Sequence, residues 1–336
     1  MKAVGYRKNL PIGAPEALED VELPAPVPGK GDLLVRVHAV SGNPVDTKVR
    51  AGTAPAAGQV KVLGWDAVGV VDAVGPQARG FALGDRVWYA GSIDRQGANS
   101  ELHAVDARIV SRAPRSLSDA QAAALPLTAI TAWELLFDRL NIGEGGGEGR
   151  TLMIVGGAGG VGSILIQLAR QLTNLRVVAT ASRQESREWC LALGAHAVID
   201  HAKPLSQELR SAGMEQVDYV ASLTQTATHY QEIIQSLKPQ GALAVIDNMG
   251  GLDPMALKSK SLSLHWELMF TRSTFQTPDM HEQGVLLGRV ADLVDSGRIR
   301  TTANAVLGRI SAENLTRAHA LIESGKAVGK IVLEGF

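Results

Sequence analysis

The chain lacks several residue patterns, and each absence removes a class of function. It has one cysteine, Cys190, in 336 residues. That excludes an internal disulfide framework and any cysteine-rich zinc site. Charge of neither sign dominates, because 33 Lys and Arg face 34 Asp and Glu and the formal net charge is −1. With no long basic or acidic run, neither nucleic acid nor an anionic membrane is expected as a partner. No apolar stretch approaches the ~20 residues that span a bilayer. The N-terminus, Met1-Lys-Ala-Val-Gly-Tyr6, has no long apolar segment and reads as a first strand rather than a signal peptide. A cytoplasmic protein is expected. None of the eight histidines pairs with another at a metal-ligand spacing.

Glycine is abundant, at 36 residues without a fixed repeat. One stretch organises the rest: Thr151-Leu-Met-Ile-Val-Gly-Gly-Ala-Gly-Gly-Val-Gly-Ser163. It reads as an apolar strand, a tight glycine turn and the first turn of a helix. Gly157, Gly159 and Gly162 fit G-x-G-x-x-G. The pattern asks Gly157 to turn sharply out of the strand, Gly159 to let a pyrophosphate approach the backbone, and Gly162 to pack the helix on the sheet. Gly160 and Val161 open the helix, whose amino end offers N–H groups and positive potential to phosphates. A lone glycine motif is weak, but its context is right. Val161, Ile164, Leu165, Leu168 and Leu172 share one helical face, and a second strand follows at Arg176 to Ala181.

The length favours two domains. Before the glycine turn the chain is mostly β, with short valine-rich strands at 1–6, 32–40, 68–74 and 86–90 set between Gly/Pro/Asp clusters. Such spacing favours a small barrel or sandwich. Ser118 and Gln121 form a capping-box pattern and open an alanine-rich helix that Pro126 interrupts. From 151 to about 270, strands and helices alternate, the pattern of a doubly wound parallel sheet. Two amphipathic helices and a last strand, 330–333, end the chain. The fold class is therefore α/β. The expected division is 1–125, 126–272 and 273–336.

Cofactor choice is read at the end of the second strand. An NAD site places Asp or Glu there for the ribose 2′-OH. This chain has Ser182-Arg183 instead, 20 residues past Gly162. A hydroxyl beside a guanidinium suits a 2′-phosphate, so NADPH is preferred over NADH. The competing reading makes Ser182 a helix cap and Arg183 a solvated surface residue.

Further segments carry a family resemblance: 42–47 (Gly-Asn-Pro-Val-Asp-Thr), 64–69 (Gly-Trp-Asp-Ala-Val-Gly), 84–87 (Gly-Asp-Arg-Val), 127–132 (Leu-Thr-Ala-Ile-Thr-Ala), 157–162, 193–200 and 329–333 (Gly-Lys-Ile-Val-Leu). With them, nearly the whole chain resembles the medium-chain dehydrogenase/reductase superfamily, and specifically its zinc-independent quinone oxidoreductase branch. The resemblance implies a GroES-like β-rich catalytic domain, a Rossmann NADP-binding domain, a C-terminal return to the catalytic domain, a cleft between the two domains and a homodimer. It also implies cofactor contacts at Thr131, His201, Thr224, Asn248 and Lys330.

Where zinc relatives have a cysteine ligand and a Gly-His-Glu triplet, this chain has Asn43 and Gly64-Trp65-Asp66. An indole cannot ligate zinc, so no metal is expected. Alcohol oxidation needs a stabilised alkoxide, whereas a quinone or an α,β-unsaturated carbonyl takes hydride with charge placed on a conjugated oxygen. Asn43 is a candidate donor to that oxygen or a turn residue before Pro44. Trp65 is a wall over the acceptor or a core residue. Asp46 and Lys48 stand nearby, either at the site or in a structural ion pair. A zinc alcohol dehydrogenase and a non-catalytic NADPH-binding protein remain as alternatives. A short-chain reductase is excluded, because none of Tyr6, Tyr89, Tyr219 and Tyr230 has a lysine four residues on.

Overall fold

The computed structural model describes residues 1–336. It divides into two compact units, Met1–Ile130 with Phe270–Phe336, and Thr131–Met269.

In the first unit the strands are Lys2–Tyr6 (β1), Glu19–Glu22 (β2), Asp32–Ser41 (β3), Lys61–Val62 (β4), Ala67–Val74 (β5), Arg86–Tyr89 (β6), Leu102–Asp106 (β7) and Ser111–Arg112 (β8). Helix Pro44–Gly52 (α1) leaves β3 directly, and the short Asp119–Ala123 (α2) follows β8. Ser118 caps α2 in the capping box with Gln121 that the sequence suggests. Strand β3 is the spine of this unit, pairing antiparallel with both β5 and β7. Its register with β5 shifts between Leu34 and Val35 and again between Val37 and Ala39. Such irregularities bend a sheet toward closure.

Pro126–Trp133 (α3) runs into a π-helical turn, Glu134–Arg139. From Asp119 to Arg139 these segments make 21 residues of mean hydropathy 1.2, with 89% of the apolar window buried inside the protein. The expectation that no apolar stretch nears twenty residues is thus corrected. Burial within this protein accounts for the apolarity, because a helix hydrophobic all round can pack into a core as well as into lipid.

The second unit carries Thr151–Val155 (β9), Gly160–Leu172 (α4), Arg176–Thr180 (β10), Gln184–Ala192 (α5), Ala197–Ile199 (β11), Leu205–Ser211 (α6), Val217–Ser222 (β12), Thr226–Ser236 (α7), Leu237–Val245 (β13) and Ser263–Trp266 (β14). All six strands are parallel, in the order β11-β10-β9-β12-β13-β14. Every residue of β9 is buried, as a strand covered on both faces requires. One core packs Met153, Val178, Ile199, Leu209, Ile233 and Leu243 around α6 and α7. Each such side chain contributes roughly 1.5–3 kcal/mol on burial. The strand order reverses between β9 and β12, the place where such sheets take ligands at their carboxyl ends.

The chain then returns to the first unit through Thr271–Thr274 (α8), Glu282–Asp295 (α9), Ala303–Val306 (β15), Ala312–Glu323 (α10) and Lys330–Glu334 (β16). β16 pairs antiparallel with β3, Val332 opposite Ser41, so the last strand completes the first sheet.

Candidate functional site

The glycine turn works differently from the expected division of labour. The left-handed residue is Gly156, at φ 85°, not Gly157. Gly156 therefore makes the turn. Gly157 is small because a Cβ there would lie 2.6 Å from the Cβ of Ala179 and 3.2 Å from Sγ of Cys190. It presses the turn against β10. A Cβ on Gly162 would lie 2.5 Å from the carbonyl oxygens of Gly156 and Gly157, so glycine is needed where α4 meets the turn. At Gly159 a Cβ would meet only the Gly156 carbonyl, at 3.5 Å. The backbone there is open to a ligand. Gly159 is the N-cap of α4 and supplies no side-chain cap, leaving the N–H groups of Gly160, Val161 and Gly162 directed at that opening.

Around this cradle stand the carboxyl ends of the parallel strands. Ser182 and Arg183 follow β10 and are exposed. His201 follows β11 and is half-buried. Thr224 follows β12 and is exposed, its Cγ2 beside Gly156. Asn248 follows β13, also exposed. The sequence reading missed Thr180, the last residue of β10. Its hydroxyl accepts the Gly156 N–H at 3.1 Å and bonds Nδ1 of His201 at 3.1 Å. It thus ties the turn to the histidine, and only the fold reveals that link. Thr226 and Asp247, another unforeseen pair, tie the start of α7 to the end of β13 through the Thr226 N–H and hydroxyl. Thr131 lies buried in α3. The residues of this unit suit a dinucleotide, with a phosphate cradle free of side chains and a hydroxyl and a guanidinium at the ribose end.

The first unit holds a different arrangement. Lys330 is 3% exposed, and its ammonium has three hydrogens to donate. They go to the Gly42 carbonyl at 2.8 Å, the Asn43 Oδ1 and the Asp66 Oδ2 at 2.9 Å. Here all three donors of Lys330, expected at the cofactor, are used inside this unit. Asp66 is fully buried. Its Oδ2 also accepts from Ser41 Oγ at 2.8 Å and Asn43 Nδ2 at 2.7 Å, and its Oδ1 accepts the Leu127 N–H at 2.7 Å.

The amide of Asn43 is therefore committed at both ends. The second hydrogen on Nδ2 faces only the carbonyls of Ser41 and Trp65, at 3.4 Å each. In this structure Asn43 serves the ion pair rather than a substrate oxygen. Trp65 has no exposed surface. Its indole N–H donates to the Ser92 carbonyl at 3.0 Å, and its ring meets Phe270 edge-on at 6.0 Å. It packs as core, with no open face to form a wall. Asp46 closes the first turn of α1 by accepting the Asn43 N–H at 2.7 Å, and it also accepts the Gly64 N–H at 3.0 Å. Burial pushes its carboxyl up to about 7 against the pull of those bonds and of Lys330. Lys48 is exposed and takes no part. No three His, Cys, Asp or Glu side chains converge on a point that could hold a metal ion. The groups around Asp66 are an ammonium, an amide and a hydroxyl, which do not fit zinc.

Comparison with known proteins adds to this geometry. Residues 29–114 match the alcohol dehydrogenase GroES-like domain, and residues 193–333 match a zinc-binding dehydrogenase domain. A zinc-type alcohol dehydrogenase-like protein of Staphylococcus aureus is 39% identical, with 99% of each chain covered. A Rhizobium etli protein put forward as a zinc-dependent alcohol dehydrogenase is 55% identical and superposes with a TM-score of 0.96, covering all of this chain and 98% of that one. A mycobacterial protein solved with NADPH is 28% identical at a TM-score of 0.85, with 99% of this chain and 100% of that one covered.

Proposed function

The chain belongs to the medium-chain dehydrogenase/reductase superfamily, a family of oxidoreductases, and on that premise we propose that it reduces a quinone or an α,β-unsaturated carbonyl with NADPH and without a metal ion. The observation that carries the reading is the closed set around Asp66. Where zinc relatives are expected to present a histidine, this chain buries an indole, and the carboxylate beside it is neutralised by Lys330. The matched domain is described as zinc-binding and the Rhizobium protein as zinc-dependent. The ammonium, amide and hydroxyl gathered at Asp66 do not suit that ion. Without a Lewis acid an alkoxide has no partner, whereas a quinone or enone delivers its new charge to a conjugated oxygen.

Bound NADPH would supply the hydride. The protein's share is placement. The opening at Gly159 and the amino end of α4 receive the pyrophosphate, Ser182 and Arg183 receive the 2′-phosphate, and Thr224 and Asn248 flank the path along the strand ends. The similar mycobacterial protein binds NADPH, which supports the cofactor choice. We also read the chain as a homodimer built on β14, which ends its sheet and leaves Trp266 56% exposed.

The test is NADPH oxidation with a panel of quinones and enones, alongside metal analysis of the purified protein. Turnover with zinc below stoichiometric amounts is expected. No oxidation above background across the panel, despite tight NADPH binding, selects a non-catalytic NADPH-binding protein. Stoichiometric zinc revives the alcohol dehydrogenase.

A further inference from the structure

Two imidazoles face each other beside the expected adenosine end of the cradle. The rings of His201 and His229 lie 6.0 Å apart, tilted by 58°, and both are half-buried. His201 is held by Thr180 through Nδ1, which leaves its Nε2 without a hydrogen bond to the protein. Neither nitrogen of His229 has a protein partner. With Nε2 of His201, three ring nitrogens of this pair make no hydrogen bond within the protein and are free to bond a ligand or water. The surroundings are mixed in sign. Arg183 and Asp200 act on His201, and Glu232 and His201 act on His229. His229 also sits in the first turn of α7, where the helix dipole opposes a positive charge. An anion bound in the notch would reverse that penalty.

We propose that His229 is a specificity-determining residue, which with His201 receives the 2′-phosphate of NADPH and takes up a proton as that phosphate binds. The inference rests on the NADPH reading above and adds a residue and a pH dependence to it. Free of ligand, both imidazoles are held below their ordinary value chiefly by burial, against the pull of Asp200 on His201 and of Glu232 on His229. Near neutrality they are uncharged. A phosphate within hydrogen-bond reach favours the charged form, so binding and protonation are linked. NADH has no phosphate at this position and draws no proton.

The probes are NADPH and NADH themselves, titrated calorimetrically in buffers of different ionisation enthalpy. The wild-type preference for NADPH is expected to grow about tenfold from about pH 8 to about pH 6, with proton uptake for NADPH alone. His229→Gln weakens NADPH far more than NADH and flattens that pH dependence. His229→Lys carries a permanent charge, so it restores the preference and keeps it flat with pH. A merely structural histidine would show neither pattern. If wild type binds NADPH and NADH equally, or binds neither, the NADPH reading fails and this proposal with it. If the preference stands but His229→Gln leaves its size, its pH dependence and its proton uptake unchanged, this proposal alone is overturned.

Discussion

The two units handle polar groups in opposite ways. In the first, the ammonium of Lys330 and the carboxylate of Asp66 are almost wholly buried, and their bonding capacity is used internally. In the second, several polar groups at the strand ends are exposed. The amino end of α4 has no side-chain cap, Ser182 and Arg183 are exposed, and His229 is half-buried against His201. One constellation is complete without a ligand and the other is built around one. Changes to the closed set should therefore appear as lost stability, and changes to the open set as lost binding with the fold intact.

The largest effect belongs to the closed set. Lys330→Met removes the cation and leaves the Asp66 carboxylate buried without its charge partner. Breaking such a pair costs about 3–5 kcal/mol, to be read from urea unfolding. If stability is kept while NADPH affinity falls, Lys330 belongs to the open site after all and the contrast collapses.

Titration should separate the units next. In the first unit, burial holds His103 down to about 4 and His319 to about 3. Below pH 6.5 the unfolded chain binds these protons and the native state does not, so stability falls as pH drops through that window. Asp46, raised to about 7 by burial, runs the other way, but two histidines outweigh one carboxyl. In the second unit, burial and then the neighbouring Glu134 raise the Glu267 carboxyl well above the usual range. There the native state holds the extra proton, and stability falls as pH rises from about 4.5. The swing is of the order of a few kcal/mol on each side. Hydrogen exchange followed unit by unit is expected to show the first unit opening first in acid and the second in base. The reverse order would contradict these assignments.

Asn43→Ala sharpens the contrast at the one residue with two candidate roles. Its amide bridges Lys330 and Asp66, so the expected outcome is a loss of about 1–3 kcal/mol of stability, with kcat reduced only in proportion to unfolding. A fall in kcat of two orders of magnitude at unchanged stability would make Asn43 the oxyanion donor instead.

The parallel sheet was legible because buried strands and amphipathic helices write their periods into the sequence. The strand at 176–180 and the helix 160–172 sit within a residue or so of their expected bounds. The edge strand β2 and the short β4 were not, since four residues of alternating burial or a two-residue pairing leave little pattern. Helix α1 was hidden by Pro44, which reads as a turn until its place at the first helical position is known. At the site, residue types were legible and partners were not. Gly156 and Gly157 are adjacent and alike in sequence, and only φ and the crowding near Ala179 assign the turn to one and the packing to the other. Lys330 lies 264 residues from Asp66 along the chain, so no local signal could join them.

Arg183→Ala should have the smallest effect, because its side chain is exposed. A guanidinium–phosphate contact of this kind is worth roughly 1–2 kcal/mol when half screened, so NADPH binding should weaken about fivefold to thirtyfold while NADH binding barely moves. The difference should shrink as salt rises past about 0.15 M, where charges a Debye length apart are screened. Lys330, closed off from water, would show no such salt dependence. Denaturation curves of Arg183→Ala should overlay those of the wild type. An unchanged NADPH-to-NADH ratio in this variant would leave Arg183 a surface residue at the start of α5, and the 2′-phosphate would then have to be held from the histidine side of the notch alone.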